Sequence, residues 1–278
     1  MKILVTGSTG QLGYDVVNEG IGNGFEMYGV GSKDLDITKE NEVNNYIEKL
    51  EPDAIIHCAA YTAVDNAEDN KEACWQINVE GTKNLAEVAK KLNIRFLYIS
   101  TDYVFNGEGN TPFNETDETA PINYYGLTKY EGEKIVQEIT KSFIVRISWV
   151  FGINGSNFVR TMLRLAESKT ELNVVGDQIG SPTYTHDLAK LLIEMIQSEK
   201  YGIYHATNDG FCSWAEFAKE IFNQSDKEVR VNSIPTEDFP TKAERPKNSR
   251  LSKSKLSQNG FTLLPRWQDS LRHYLNKL

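Results

Sequence analysis

Cysteine, histidine and long apolar runs are what this chain has least of. Its three cysteines, Cys58, Cys74 and Cys212, are an odd count without a Cys-x-x-Cys pair, which argues against both a disulfide framework and a structural zinc. Its four histidines, His57, His186, His205 and His273, stand apart from one another, so no metal-ligand spacing emerges and no metal is expected. No apolar stretch approaches the roughly 18 to 20 residues of a membrane span. The short run Ile3 to Val5 leads straight into glycines, so no signal peptide is expected and the expected address is the cytoplasm. Basic residues are scattered and outnumbered: 30 Lys and Arg face 39 Asp and Glu, a net charge of −9, which leaves no electrostatic footprint for nucleic acid or an anionic membrane. The 278 residues are 40% hydrophobic and 10% aromatic, too apolar for disorder and enough for one large domain or two small ones.

Short β-type runs alternate with helix-period segments from the first residue, which predicts an α/β, Rossmann-type doubly wound parallel sheet. Ile3 to Val5, Glu26 to Val30, Ala54 to His57, Phe96 to Ile99 and Ile144 to Ile147 read as strands. Val43, Ile47 and Leu50 mark a helix face after Thr38 as N-cap; Trp75, Val79, Thr82, Ala86 and Ala89 mark a second. Beyond Val150 the rhythm loosens and Gly, Pro and Asn punctuation thickens. Residues 1–150 are therefore expected to form an NAD(P)-binding domain and 151–278 a smaller α/β substrate lobe, with the chain free to cross between lobes in the second part. Helices are expected over Asn157 to Ser168 and Thr185 to Gln197, and strands over Leu172 to Val175 and Ile203 to His205.

Thr6-Gly7-Ser8-Thr9-Gly10-Gln11-Leu12-Gly13 follows the first strand and precedes a helix face at Val16 and Val17. A glycine turn at a helix N-terminus offers unpaired N–H groups and the positive end of the helix dipole to a pyrophosphate. Glycines spaced by three are a weak signal alone and a stronger one between a strand and a helix. The second strand ends in Ser32 and Lys33, where an NAD-selective site usually places an acid. Hydroxyl and cation there favour NADPH, with NADH also accepted, while Asp34 and Asp36 remain within reach of a ribose and Ile37 adjoins them as a further cofactor-binding position.

Tyr125 and Lys129 stand at i and i+4, on one helix face. A tyrosine is a poor proton donor and acceptor near neutrality unless a cation stabilises its phenolate, and Lys129 is placed to do so. Thr101, and Ser100 as second choice, offer a hydroxyl at the tip of the fourth strand, the edge where ligands bind in such sheets. Tyr130 and Lys134 repeat the spacing but sit about 140° around the helix from the first pair.

Together these residues resemble the extended short-chain dehydrogenase/reductase family. Five further motifs narrow the likeness to its dTDP-4-dehydrorhamnose reductase branch: Cys58-Ala59-Ala60-Tyr61-Thr62-Ala63-Val64-Asp65-x-Ala67-Glu68, Ser100-Thr101-Asp102-Tyr103-Val104-Phe105, Arg146-x-Ser148-Trp149-Val150, Asp177-Gln178-x-Gly180-x-Pro182-Thr183, and Arg245-Pro246-x-Asn248-Ser249-x-Leu251. The resemblance implies reduction, by NADPH or NADH, of the C4 keto group of a dTDP-linked 6-deoxy-4-keto-L-sugar. It implies Tyr125 as proton donor, Lys129 as ribose anchor and Thr101 as carbonyl partner. It also implies Ala59, Ala60 and Tyr61 along the cofactor, and Val64, Tyr103 and Trp149 beside the sugar nucleotide. Among the downstream loops Arg245 is the sharpest candidate for the diphosphate, since an acidic protein needs focused local donors for it.

Some members of this group bridge two subunits with magnesium held by three glutamates. The matching positions here are Asp15, His186 and Gln268, a poor hard-oxygen set, so a monomer or a homodimer without magnesium is expected. Two rival readings stand open: a non-catalytic NADP-binding subunit of the kind that regulates methionine adenosyltransferase, and a nucleotide-sugar epimerase or dehydratase.

Overall fold

The computed structural model describes all 278 residues. The first half runs β1 (Lys2–Thr6), α1 (Gln11–Gly22), β2 (Glu26–Val30), α2 (Glu40–Leu50), β3 (Ala54–His57), α3 (Val64–Asp69), α4 (Lys71–Trp75), a π-helical turn (Gln76–Glu80), α5 (Gly81–Lys91), β4 (Arg95–Thr101), α6 (Tyr124–Val136) and β5 (Ser142–Ile147). The second half continues β6 (Val150–Phe151), α7 (Phe158–Leu165), β7 (Glu171–Val175), β8 (Ile179–Gly180), β9 (Thr183–Tyr184), α8 (Thr185–Ile196), β10 (Gly202–His205), β11 (Cys212–Ser213), α9 (Trp214–Gln224), β12 (Arg230–Ile234), β13 (Asn248–Ser249), α10 (Ser254–Gln258) and α11 (Trp267–Leu275).

Six strands form one parallel sheet in the order β10-β5-β4-β3-β1-β2. Because successive strand residues face opposite sides, Ile3 and Val5 join Val16, Leu188 and Leu192 in the core on one face. Leu4 joins Ile47, Leu85 and Phe96 on the other. Burial on both faces explains why β1 and β3 read as continuous apolar runs. A third core, around Phe151, Tyr184, Phe217 and Trp267, holds the remaining lobe together.

The boundary at residue 150 is crossed by the chain. Helix α8 packs on α1, and β10 pairs with β5 (Ile203 opposite Ile144), so residues 185–205 return to the large sheet. The helix expected from Thr38 begins at Glu40 with Lys39 as N-cap, because the Thr38 hydroxyl and N–H both donate to Asp36 Oδ1. The helix expected from Trp75 to Ala89 is broken by the π turn, which brings Asn78 into the interior, 1% exposed.

Candidate active site

Order 2-1-3 at one end of the sheet means that the chain leaves β1 in one direction and returns through β3 in the other, and a crevice opens at the carboxyl ends of the strands there. A cleft of about 950 Å³ occupies this place. Its floor is the glycine turn. Gly7 has φ +70°, and a Cβ there would lie 2.7 Å from the Ala59 backbone nitrogen. A Cβ on Gly13 would lie 2.3 Å from the Gly7 carbonyl oxygen, so side chains at either position would prise the turn from its neighbours. Gly10 is the N-cap of helix α1 and offers no side-chain cap, so the first N–H groups of the helix stay unpaired for an incoming anion.

Ala59 and Ala60 form the adjoining wall, and a buried relay fixes them. Thr82 Oγ1 donates to the Asn78 carbonyl oxygen (2.7 Å), so it accepts from His57 Nε2 (3.0 Å). His57 Nδ1 then accepts from Thr6 Oγ1 (2.7 Å), which in turn accepts from the Ala59 N–H (3.3 Å). Burial pushes the His57 imidazole down to about 3, so it is neutral and locked in one tautomer. Asn78 Oδ1 accepts from the Tyr61 N–H (2.7 Å) and its Nδ2 donates to the Tyr61 carbonyl (3.2 Å). The π turn therefore serves as a clamp on the segment that follows β3.

Thr101, Tyr125 and Lys129 all line the cleft. Asn123 caps α6, its Oδ1 accepting from the Gly126 N–H (2.8 Å), which fixes the first turn that carries Tyr125. Burial, and then the Asp102 carboxylate and Tyr103, hold the Tyr125 phenol above its ordinary range, while the Thr101 hydroxyl works the other way. Burial draws the Lys129 ammonium down to about 7, opposed by the carboxylate of Glu133 one turn along. Glu133 is itself fully buried. It accepts two bonds from Arg146 on β5 (2.9 and 2.7 Å) and one from Ser100 Oγ (2.5 Å). The Ser100 hydroxyl proton is thus committed to Glu133, and the Thr101 hydroxyl donates to Asp102 Oδ1 (3.0 Å) and accepts from the Tyr103 N–H (3.2 Å); both residues line the cleft.

Asp102 is 3% exposed. Its Oδ1 accepts from Thr101 Oγ1 (3.0 Å), and its Oδ2 has no partner. Burial raises the carboxyl to about 6, and the neighbouring Ser249 and Thr101 hydroxyls offset only part of that cost. Across the cleft Trp149 has φ +48° and stacks on Trp214, with ring centres 3.7 Å apart. Left-handed backbone at a bulky residue is strained, and Gly180 beneath the indole admits it: a Cβ there would lie 2.9 Å from Trp149.

The sequence model of a family described as the RmlD substrate binding domain matches residues 1–278. The chain belongs to the RmlD substrate binding domain family. The dTDP-4-dehydrorhamnose reductase of Aggregatibacter actinomycetemcomitans is 41% identical over 98% of this chain and 97% of its own. The spore coat polysaccharide biosynthesis protein SpsK of Bacillus subtilis is 42% identical over 99% and 97%. Among solved structures, the dTDP-4-dehydrorhamnose reductase of Bacillus anthracis, determined in complex with NADP, superposes with a TM-score of 0.97 at 42% identity, covering 100% of both chains.

Within this RmlD-type frame, most residues expected at the site meet in the cleft. Gly7, Gly10, Gln11, Leu12, Gly13, Ser32, Asp36, Ile37, Ala59 and Ala60 line it, as do Val64, Tyr103 and Trp149. Three expected residues do not. Lys33 is exposed at the rim, beyond the lining. Tyr61 is not among the lining residues, and its backbone N–H and carbonyl are bonded to Asn78. Arg245 lines an adjoining cavity of about 730 Å³ and is already bonded, to Asp65 Oδ2 (2.6 Å) and to the Tyr103 hydroxyl (3.0 Å). The Gln11 side chain points across to the other lobe, accepting from the Gly152 N–H (2.9 Å) and Asn157 Nδ2 (3.0 Å). Sequence reasoning missed Asp102, Asn78 and Asp65 as contributors. Asp102 and Asp65 stood inside quoted motifs; Asn78 carried no signal, since its inward aim comes from the π turn.

The three positions matched to a magnesium site lie elsewhere. Asp15 is buried and accepts from the Thr185 hydroxyl, His186 stacks on His273 with ring centres 5.0 Å apart, and Gln268 Oε1 is buried without a partner. One carboxylate turned to a threonine does not make a hard-oxygen cage.

Proposed function

We propose that this chain catalyses the reduction of the C4 keto group of dTDP-4-dehydro-L-rhamnose to dTDP-L-rhamnose, with NADPH as reductant and NADH accepted too. The observation that carries this reading is the meeting of Thr101, Tyr125 and Lys129 with the Gly7 to Gly13 turn in one cleft, in a chain that matches named reductases over its whole length.

The glycine turn, Ser32, Asp36, Ala59 and Ala60 would hold the dinucleotide, which when bound supplies a hydride to the carbonyl carbon. Tyr125 gives its proton to the carbonyl oxygen; the influences that raise its pKa keep it in the donor form until reaction begins. Thr101 orients that oxygen with a hydrogen bond. Lys129 anchors the cofactor's ribose and steadies the phenolate left behind, a role that a cation in a dry site fills better than one in water. Val64, Tyr103 and Trp149 frame the sugar, and Arg245 meets the diphosphate. Residues 1–150 hold the cofactor and also bring Val64, Tyr103 and Trp149 to the sugar, and residues 151–278 add Arg245. The enzyme works in the cytoplasm, as a monomer or homodimer.

The test is NADPH oxidation by the pure protein given a dTDP-4-keto-6-deoxysugar, with the product identified by NMR as the 4-hydroxy-6-deoxy-L-hexose. Cofactor binding without dTDP-sugar binding at millimolar ligand would replace the reductase reading with that of an NADP-binding regulatory subunit.

A further inference from the structure

Tyr103 belongs to the wall of the cleft and Arg245 to that of the neighbouring cavity. Their hydrogen bond makes them the partition between the two. Three cations surround the second cavity: Lys242, Arg245 and Lys247. Lys242 pairs with Asp69, and Lys247 with Asp177 (3.3 Å) and Glu237 (2.9 Å). Both lysines are more than half exposed, where ion pairs form and break at little cost.

Arg245 differs in being 19% exposed and held at both ends. Asp65, on the first turn of α3, grips it with Oδ2 while its Oδ1 accepts from the backbone N–H of Ala243 (3.1 Å). One carboxylate thus fixes the guanidinium and the strap that carries it. A guanidinium has five N–H donors in a rigid fork. Asp65 and Tyr103 take two, and the others remain for an anion.

We propose that Asp65 is a positioning residue for sugar-nucleotide binding: it holds Arg245 at the partition so that the remaining guanidinium donors meet the diphosphate of a substrate that reaches both cavities. This rests on the reductase reading above. Free Arg245 would have to be ordered by each arriving substrate, and that entropy would be taken from affinity. Asp65 orders it in advance. The carboxylate touches neither the keto group nor the cofactor cradle, so its effect falls on substrate affinity and leaves the chemical step alone.

The experiment measures dTDP binding by calorimetry and steady-state kinetics in the full-length protein and three variants. Asp65→Asn keeps an acceptor for Ala243 but loses the charge. It should weaken dTDP binding and raise KM for the sugar nucleotide by roughly tenfold, with kcat and the NADPH KM within about twofold. Asp65→Glu, which restores the charge, should recover part of the loss. Asp69→Asn breaks the neighbouring pair from the same helix to the same strap and should leave all constants near wild type. Unchanged dTDP affinity in Asp65→Asn would overturn the proposal, as would an equal loss in Asp69→Asn, which would reduce Asp65 to a general strap fastening. If the wild type bound no dTDP at all, the functional reading would fail first and this inference with it.

Discussion

The Lys129 ammonium lies 4.0 Å from the centre of the Tyr98 ring, and the Tyr98 hydroxyl donates to the carbonyl oxygen of Lys129 at 3.3 Å. Tyr98 is fully buried on β4, so it gives the lysine a fixed seat through a cation–π contact. That seat takes none of the three ammonium N–H donors, and they stay free towards the cleft.

From this arrangement Tyr125→Phe is expected to lower kcat by roughly 10²- to 10⁴-fold, the usual worth of a general acid, with NADPH affinity little changed. Tyr130→Phe is the control. Its neighbour Lys134 lies 5.2 Å from the Tyr130 ring centre and pairs with Glu131 at 2.5 Å, on the half-exposed side of α6. A greater loss in Tyr130→Phe than in Tyr125→Phe would show that the wrong tyrosine had been chosen.

Gly13→Ala should weaken NADPH binding by roughly tenfold or more, since overpacking costs about 1–3 kcal/mol and the new methyl group would press on the Gly7 carbonyl. Gly22→Ala at the other end of α1 meets nothing within 4 Å and should leave binding untouched. Fluorescence titration of the two variants makes the comparison.

Asp102 gives a pH-dependent expectation. Its carboxyl is raised from 3.8 to about 6, so the folded protein binds that proton more tightly than the unfolded chain does. Its contribution is therefore fully present below 3.8 and lost as pH rises through 6, a cost of at most about 3 kcal/mol. Asp102→Asn does not ionise. It should melt above the wild type at about pH 7.5, and the difference should shrink towards about pH 4. A constant difference across that range would show that ionisation plays no part.

Glu133 and Arg146, 0% and 2% exposed, join α6 to β5. Glu133→Gln or Arg146→Met alone should destabilise by about 3–5 kcal/mol, because the partner left behind is a buried unpaired charge. The double variant Glu133→Leu with Arg146→Met should recover much of that loss in urea unfolding. A double variant as weak as the sum of the singles would argue that the pair's charges, and not their mutual satisfaction, hold these elements together.

The inner strands of the large sheet are legible in the sequence because burial on both faces keeps them largely apolar, as in Ala54–His57, whereas the half-exposed edge strand Glu26–Val30 is marked by its β-type residues between the turns that flank it. The glycine turn, Thr101 and Tyr125 are legible because each lies close to an element boundary that fixes its direction, and Lys129 because it stands one helical turn from Tyr125. Two-residue strands such as β8 and β11 have no period to detect. The π turn changes the helical phase without changing composition. Gly202–His205 looks like a strand locally, but nothing in four residues names β5 as its partner. Arg245 and Asp65 are 180 positions apart, and a pairing across that distance leaves no local trace.

The return of β10 to the large sheet bears on how the chain is made. All six residues of β5 are buried, yet one side of β5 is a bare edge until residues 202–205 have been synthesised and paired with it. Synthesis proceeds at about 5–20 residues per second, so for several seconds the nascent protein carries an apolar strand with open hydrogen-bonding groups, the kind of edge that captures other chains. The first 150 residues, although they hold the glycine turn, Thr101, Tyr125 and Lys129, are for that interval a sheet with one edge still open.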